Sequence, residues 1–286
     1  MTSSDSKTPT EWEVEITPHR RVFSVPVREL YQYRDLLFLF VRRDFVANYK
    51  QTILGPVWFV IQPILTTVMM VFVFGRLAGL STDGLPLVLF YFGNVMLFGY
   101  FSSCFNKTAT TFQSNAKMFG KVYFPRMIVP ISVTVSTLIT LAIQFTLFLC
   151  FYFYYLIGGV VHPNKVILLL PLFILDAAML GLGLGLIFSA LTTKYRDLVN
   201  LLAFGTQLLM YASPVVYPIS EIPAKYAWII KANPISGVIE NFRYGFTGAG
   251  HFSGDLLVYS TVASLLILAA GAVVFNKVEA TFMDTV

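Results

Sequence analysis

Residues 34–58 read RDLLFLFVRRDFVANYKQTILGPVW. The first two thirds have a helical period, with Leu37, Val41 and Phe45 on one face and Asp35, Arg42 and Lys50 leaning toward another. The last third leads into an uncharged run through Gly55-Pro56, a bend or helix start, and Trp58, an aromatic suited to a membrane surface. A basic helix set directly against an apolar segment predicts an amphipathic interfacial helix over residues 34–50, lying along one leaflet with its cations toward headgroups. Phe38, Leu39 and Phe40 widen its apolar face, which suits a helix that also packs on protein. Plain anchoring to the membrane is the simpler alternative.

Working outward, 56% of the 286 residues are hydrophobic and 12% charged, and the mean hydropathy is +0.71, which predicts an all-α polytopic membrane protein. Uncharged runs cover residues 51–75, 84–106, 127–164, 198–220 and 256–276, and Asp176 alone interrupts 166–193. Each run is long enough for the roughly 20-residue helix that crosses hydrocarbon. Six transmembrane helices are expected, with 127–164 read as one long helix plus an apolar turn; dividing that run would make seven. With six, the positive-inside rule favours both termini in the cytoplasm, since fifteen of the twenty Lys and Arg fall on that side. The net charge of +5 borders the spans, so anionic lipid explains it better than nucleic acid does. Residues 1–10 lack the character of a cleaved signal, so the first span is expected to deliver the chain to the membrane.

The organisation is then a cytosolic lead-in and interfacial helix over 1–50, followed by a membrane domain over 51–286. Residues 106–126 carry Lys107, Lys117, Lys121 and Arg126 and no acid, and Gln113-Ser114-Asn115 can start a short helix there. Such an element fits a cleft on a cytosolic partner, although an ordinary basic loop reads the same way. Residues 211–250 are punctuated by Pro214, Pro218, Pro223, Pro234 and Gly237, leaving apolar pieces too short to cross. They predict outer re-entrant or interfacial helices, with Tyr211, Tyr217, Glu240 and Arg243 at a conduit or outer mouth. Gly181, Gly183 and Gly185, with Gly205 on the neighbouring helix, predict close helix packing. Asp176 is a lone intramembrane carboxylate, and structural hydrogen bonding and a direct part in transport both account for it. The aromatics of residues 151–155 suit a headgroup-level belt or contact with sugar faces. Cys104 and Cys150 lie in apolar runs and read as small hydrophobes.

No phosphate-cradling Gly-rich loop, His-Glu-x-x-His or Cys pair occurs, and His19, His162 and His251 are far apart. No catalytic, cofactor or metal residue is therefore assigned.

These residues resemble the membrane-spanning permease of polysaccharide-exporting ABC transporters of the ABC-2 type, over nearly the whole chain from about Trp12. The likeness rests on Glu29-Leu30 with Tyr33-Arg34-Asp35-Leu36, on Arg42-Arg43-Asp44, and on the run from Tyr49-Lys50-Gln51-Thr52 to Trp58 followed by Gln62-Pro63. Further matches are Phe124-Pro125, Tyr195-Arg196-Asp197, Ser213-Pro214-Val215, Tyr217-Pro218, Asn233-Pro234 and Phe282-Met283-Asp284. The resemblance implies a homodimer around a conduit in the bacterial inner membrane, with two copies of a cytosolic ABC ATPase that binds ATP and Mg. It implies export of an undecaprenyl-pyrophosphate-linked polysaccharide, O-antigen foremost. Residues 34–50 then correspond to a gate helix, with Arg34, Arg42, Arg43, Tyr49, Lys50 and Gln51 admitting the lipid pyrophosphate. Residues 114–121 correspond to a coupling helix, with Gln113, Ser114, Lys117 and Lys121 toward the ATPase. Asp176 has no counterpart in that pattern. A self-contained secondary transporter or channel is the alternative, and it requires internal repeats or paired buried charges that the sequence does not display.

Overall fold

A computed structural model describes residues 31–47, 50, 53–122, 124–195, 197–250 and 252–282, with side chains to residue 279. The expectations for residues 1–30, Tyr49, Gln51 and Arg196 lie outside the described residues.

The described chain is helical throughout. α1 (Arg34–Ala47) is followed by a 3-10 turn at Gly55–Val57, with Pro56 supplying a φ suited to a helix start, and then by α2 (Trp58–Met70). A wider π-helical stretch, Val71–Leu77, prolongs α2. Next come α3 (Leu87–Ala109), α4 (Thr111–Phe119), α5 (Ile128–Ile157), α6 (Leu170–Lys194) and α7 (Leu198–Tyr211). The chain closes with α8 (Ala224–Ala232), α9 (Pro234–Thr247) and α10 (Gly254–Phe282).

Five segments are long and apolar enough to cross a bilayer: Gly55–Leu77, Leu87–Ala109, Ile128–Ile157, Lys165–Lys194 and Gly254–Glu279. The 127–164 run forms the one helix preferred for it, ending at the turn of Gly158 and Gly159. The run 198–220 departs from expectation. Its helix, α7, has 14 residues, so it extends about 21 Å, short of the roughly 30 Å hydrocarbon layer. It stops because residues 212–216 turn, with Pro214 unable to supply a backbone N–H and the Asn94 amide of α3 donating to the Pro214 and Val215 carbonyls at 3.3 and 3.2 Å. Among the described residues there are thus five full-length spans and one short apolar helix, rather than six of equal kind.

The core sits around α3, whose apolar stretch is 67% buried against 17% for Gly55–Leu77. α6 lies between α3 and α10, and its glycines set the spacing. A Cβ at Gly181 would stand 2.7 Å from the Phe101 carbonyl oxygen of α3, and one at Gly183 would stand 2.7 Å from the Leu268 Cα of α10. Only a missing side chain allows backbones so close. Gly205 on α7 has nothing within 4 Å of its would-be Cβ, so the packing role expected for it does not arise within this chain.

The residues 151–155 divide. Tyr152 is buried, its ring 5.4 Å from Phe246 of α9 and 6.1 Å from Phe148, whereas Phe153 and Tyr154 are exposed. α9 is capped by Asn233, whose side-chain Oδ1 accepts from the Ile235 N–H while its Nδ2 donates to Ala212 O and Ser213 Oγ. The Ser213-Pro214 and Asn233-Pro234 motifs are therefore two sides of one joint.

Candidate functional site

At the end of the bundle that carries α4, a chain of aromatic rings joins helices distant in sequence. Phe40 of α1 lies edge-on to Phe124 at 5.6 Å, Phe124 lies 5.8 Å from Phe119 of α4, and Phe119 is 5.8 Å from Phe112. Phe112 stacks at 4.8 Å on Phe275 of α10. All five rings are buried, and each such pair contributes roughly 0.5–1.5 kcal/mol beyond the area it buries. Arg43 continues the joint on its polar side, with its guanidinium 4.5 Å over the Phe40 ring, its Nη1 3.8 Å from the Met118 sulfur of α4, and its Nη2 2.7 Å from Asp44. Phe45 stacks on Phe59 at 5.7 Å, tying the other end of α1 to α2. Helix α1 thus bridges α4 and the first span.

Helix α4 begins at Thr111, before Gln113, and ends at Phe119, so Lys121 falls just beyond it. Gln113 turns into the bundle, donating to the Thr192 carbonyl of α6, while the Thr192 hydroxyl donates to Ala109 O at 2.6 Å. Ser114, Lys117 and Lys121 are exposed. α4 therefore has one face fastened to α6 and one exposed face bearing Lys117, with Lys121 exposed just past its end.

Two cavities open beside this joint. The first, about 250 Å³, lies between α1, α4 and α5, with Arg43, Asp44, Ser114 and Ser136 in its wall. The second, about 410 Å³, extends between α2, α3 and α5 past Gln62, Ser103, Thr137 and Gln144. Lys107, near the end of α3, lines both. Arg34, Arg42 and Lys50 are exposed and line neither, so of the α1 cations only Arg43 reaches the cavity wall.

At the opposite end, Glu240 and Arg243 do not stand at an open mouth as expected. Both are buried, with Arg243 Nη2 2.5 Å from Glu240 Oε1 and 3.5 Å from Asp83 Oδ2, and the guanidinium 5.0 Å over the Phe90 ring. The Ser220 hydroxyl donates to Asp83 at 2.7 Å. Burial pushes the Glu240 carboxyl up, and the Arg243 charge beside it opposes the shift. They are buried because α9 lies inside the protein, and its charged residues must find partners there. Tyr211 is exposed, and its carbonyl accepts from the Tyr217 hydroxyl at 2.6 Å. Tyr217 lines a third cavity, of about 460 Å³, with Leu80, Pro223 and Tyr226.

This arrangement, spans around α3 with α1 and α4 joined at one end, can be set against known proteins. The family profile described as ABC-2 type transporter matches residues 35–247, three quarters of the chain, including both joined helices. The chain belongs to the ABC-2 type transporter family. Among its relatives, the O-antigen export system permease protein RfbA of Klebsiella pneumoniae is 26% identical over 251 residues, 87% of this chain and 94% of the relative. The protein of that name from Myxococcus xanthus is 26% identical over 265 residues, 91% and 98% of the two chains. The polysialic acid transport protein KpsM of Escherichia coli is 22% identical over 256 residues, 88% and 95%. This is an ABC-2 type membrane permease related to polysaccharide export systems, and not a catalytic enzyme.

Within this ABC-2 permease, Asp176 is fully buried between α6 and α10 and accepts from the Thr261 hydroxyl of α10 at 2.8 Å. Sequence reasoning missed two features of the permease. Lys107 was counted with the loop cations, although its place three residues before Thr110, on a helix with Ser103 and Tyr100 one and two turns back, marks a polar stripe. Asp83 was missed because nothing local links a loop acid to an arginine 160 positions away.

Proposed function

We propose that this permease is the transmembrane subunit of an ATP-driven exporter that moves undecaprenyl-pyrophosphate-linked polysaccharide, O-antigen foremost, from the cytoplasm to the periplasmic side. It works as a homodimer in the bacterial inner membrane, with both termini cytoplasmic and two copies of a cytosolic ABC ATPase supplying ATP and Mg chemistry. The observation that carries the reading is the aromatic joint from Phe40 to Phe275, because it makes α1 and α4 one mechanical unit. An ATPase that pushes on the free face of α4, at Ser114, Lys117 and Lys121, moves α1 and opens the inner gate. Arg34, Arg42, Arg43, Tyr49, Lys50 and Gln51 then meet the pyrophosphate of the arriving lipid. Residues 211–250, with Tyr211 and Tyr217, form the outer re-entrant region near which the glycan leaves. Exposed apolar residues on the first span, such as Leu65, Val68, Met69 and Phe72, offer a surface for lipid or for the second copy.

Deleting the gene is expected to leave lipid-linked polymer inside the cell, and the purified chain is expected to bring an ABC ATPase with it. Normal surface polymer in the deletion strain together with purification free of any ATPase would defeat the proposal. A second reading, ion- or proton-coupled transport by this chain alone, draws on the buried Asp83, Glu240 and Arg243 cluster, a paired set of charges the sequence did not reveal. ATP-independent transport by the purified chain would favour it.

A further inference from the structure

The two cavities that meet at Lys107 carry chemistry that the joint between α1 and α4 does not use. Of the residues lining them, three are charged: Arg43 and Lys107 are cations and Asp44 is an acid. Asp44 lies against Arg43 and within electrostatic reach of Lys107, and the combined lining has a net charge of +1. Arg43 and Lys107 are both exposed, so this charge is open to water, to lipid headgroups or to a ligand.

The hydroxyls around Lys107 add a second property. Ser136 donates its proton to Val133 O, Thr110 to Asn106 O or Lys107 O, and Thr137 to Val133 O or Thr134 O. With their protons held by their own helices, Ser136 and Thr110 can accept hydrogen bonds from whatever lies in the smaller cavity, while the Thr137 oxygen already meets Cys104 Sγ at 3.2 Å. The Lys107 ammonium offers donors only. The cavities therefore complement an occupant with an anionic acceptor group and neighbouring hydroxyl donors. The larger cavity mixes apolar residues, Trp58, Phe59, Pro63, Val95 and Leu141, with Gln62, Thr66, Thr140 and Gln144, so it can meet a lipid where chain and headgroup join.

We infer that these cavities form a headgroup slot for a phosphate-bearing lipid, with the phosphate against Lys107, its hydroxylated substituent against Thr110 and Ser136, and its chain along α2 and α3. Arg43 stands at the mouth, so the slot is bordered by the same helix that the aromatic joint connects to α4. Occupation of the slot is thereby sensed by the element on which the proposed ATPase acts. The inference needs a membrane-embedded permease and rests on the exporter reading only where the lipid is the carrier of the cargo.

The test is lipid retention by the full-length chain in phosphatidylcholine nanodiscs doped either with polyprenyl phosphate or with phosphatidylglycerol, read by native mass spectrometry. Lys107→Gln is expected to lower retention of the bound lipid roughly tenfold, as removal of a charge-assisted hydrogen bond does. Lys107→Arg is expected to keep retention, and Lys231→Gln on α8 to leave it unchanged. Val133→Trp fills the smaller cavity without changing charge and is expected to expel the lipid as well, which guards against a folding defect peculiar to Lys107→Gln. Loss confined to polyprenyl phosphate assigns the slot to a carrier lipid, and loss confined to phosphatidylglycerol assigns it to the bilayer's own phospholipid; either supports the slot. Unchanged retention of both lipids in Lys107→Gln and Val133→Trp would overturn it. Glycan export is scored separately in cells. A chain that exports but shows no Lys107-dependent retention loses the slot alone, and one that retains lipid through Lys107 but is dispensable for surface glycan loses the exporter reading alone.

Discussion

Arg43 of α1 reaches the sulfur of Met118 on α4 at 3.8 Å, across 75 positions of sequence. By itself that contact is weak. Its meaning comes from the rings beneath it, since the same guanidinium lies over Phe40 and Phe40 leads through Phe124 and Phe119 to α4 again. The two helices are therefore linked on both a polar and an apolar side.

Phe124→Ala removes the ring that links Phe40 of α1 to Phe119 of α4. It is expected to lower the stability of the permease by roughly 3–5 kcal/mol, the cost of a buried Phe truncation. Phe124→Leu keeps most of the volume and should restore stability but not the ring geometry, so a thermal melt near wild type with reduced transport-linked ATPase activity is the expected pair of results. Wild-type coupling in Phe124→Leu would show that filled volume suffices.

Reversing both exposed cations, Lys117→Glu with Lys121→Glu, is expected to weaken copurification of the ATPase while leaving membrane insertion intact. Both side chains are exposed, so no packing is lost. Pull-down from solubilised membranes checks this. Undiminished ATPase recovery with undiminished export would remove α4 from the proposed contact.

Arg243→Ala leaves Glu240 and Asp83 facing each other without a counter-charge in a buried site. The expected loss is roughly 3–5 kcal/mol, the usual cost of breaking a buried pair from one side. Combining Arg243→Met with Glu240→Gln should recover part of it, because the uncompensated charge is reduced. A double-mutant cycle of melting curves in detergent gives the coupling.

Gly183→Ala pushes a methyl to within 2.7 Å of the Leu268 backbone and is expected to cost about 1–3 kcal/mol as α6 and α10 separate. Gly205→Ala meets nothing within 4 Å, so it should hold or raise stability by up to about 1 kcal/mol through helix propensity. Comparison of folded yield by fluorescence-detected size exclusion tests both. A defect in Gly205→Ala would place a second copy against α7.

Asp176→Asn keeps an acceptor oxygen for the Thr261 hydroxyl and discards the charge. Export and melting temperature close to wild type are expected, since the contact seen is a hydrogen bond between spans. Folded protein that no longer exports would assign the carboxylate a part in transport.

Much of the architecture was legible in the sequence because a bilayer imposes it. Apolar runs near 20 residues favour helices, and five of the six form helices long and apolar enough to cross a bilayer. The run 198–220 misled because hydropathy does not register where a helix stops, and α7 stops where Asn94, more than a hundred positions earlier, holds the 214–215 carbonyls. The helix from Arg34 and the short helix of the basic loop were each visible locally, although the second begins at Thr111 and not at the Gln113-Ser114-Asn115 start expected for it. Their attachment was not, since Phe40, Phe124, Phe119, Phe112 and Phe275 read separately as five ordinary apolar residues.

The sequence by itself determined that this is a polytopic helical membrane protein of the ABC-2 type, since burial of backbone polar groups in hydrocarbon and a run of local motifs leave little choice. The tertiary structure alone decided which charges are buried, which helices touch and which cavities Lys107 lines. Those depend on side chains brought within a few ångströms from positions 75 to 160 residues apart, and no local period or propensity encodes such a meeting.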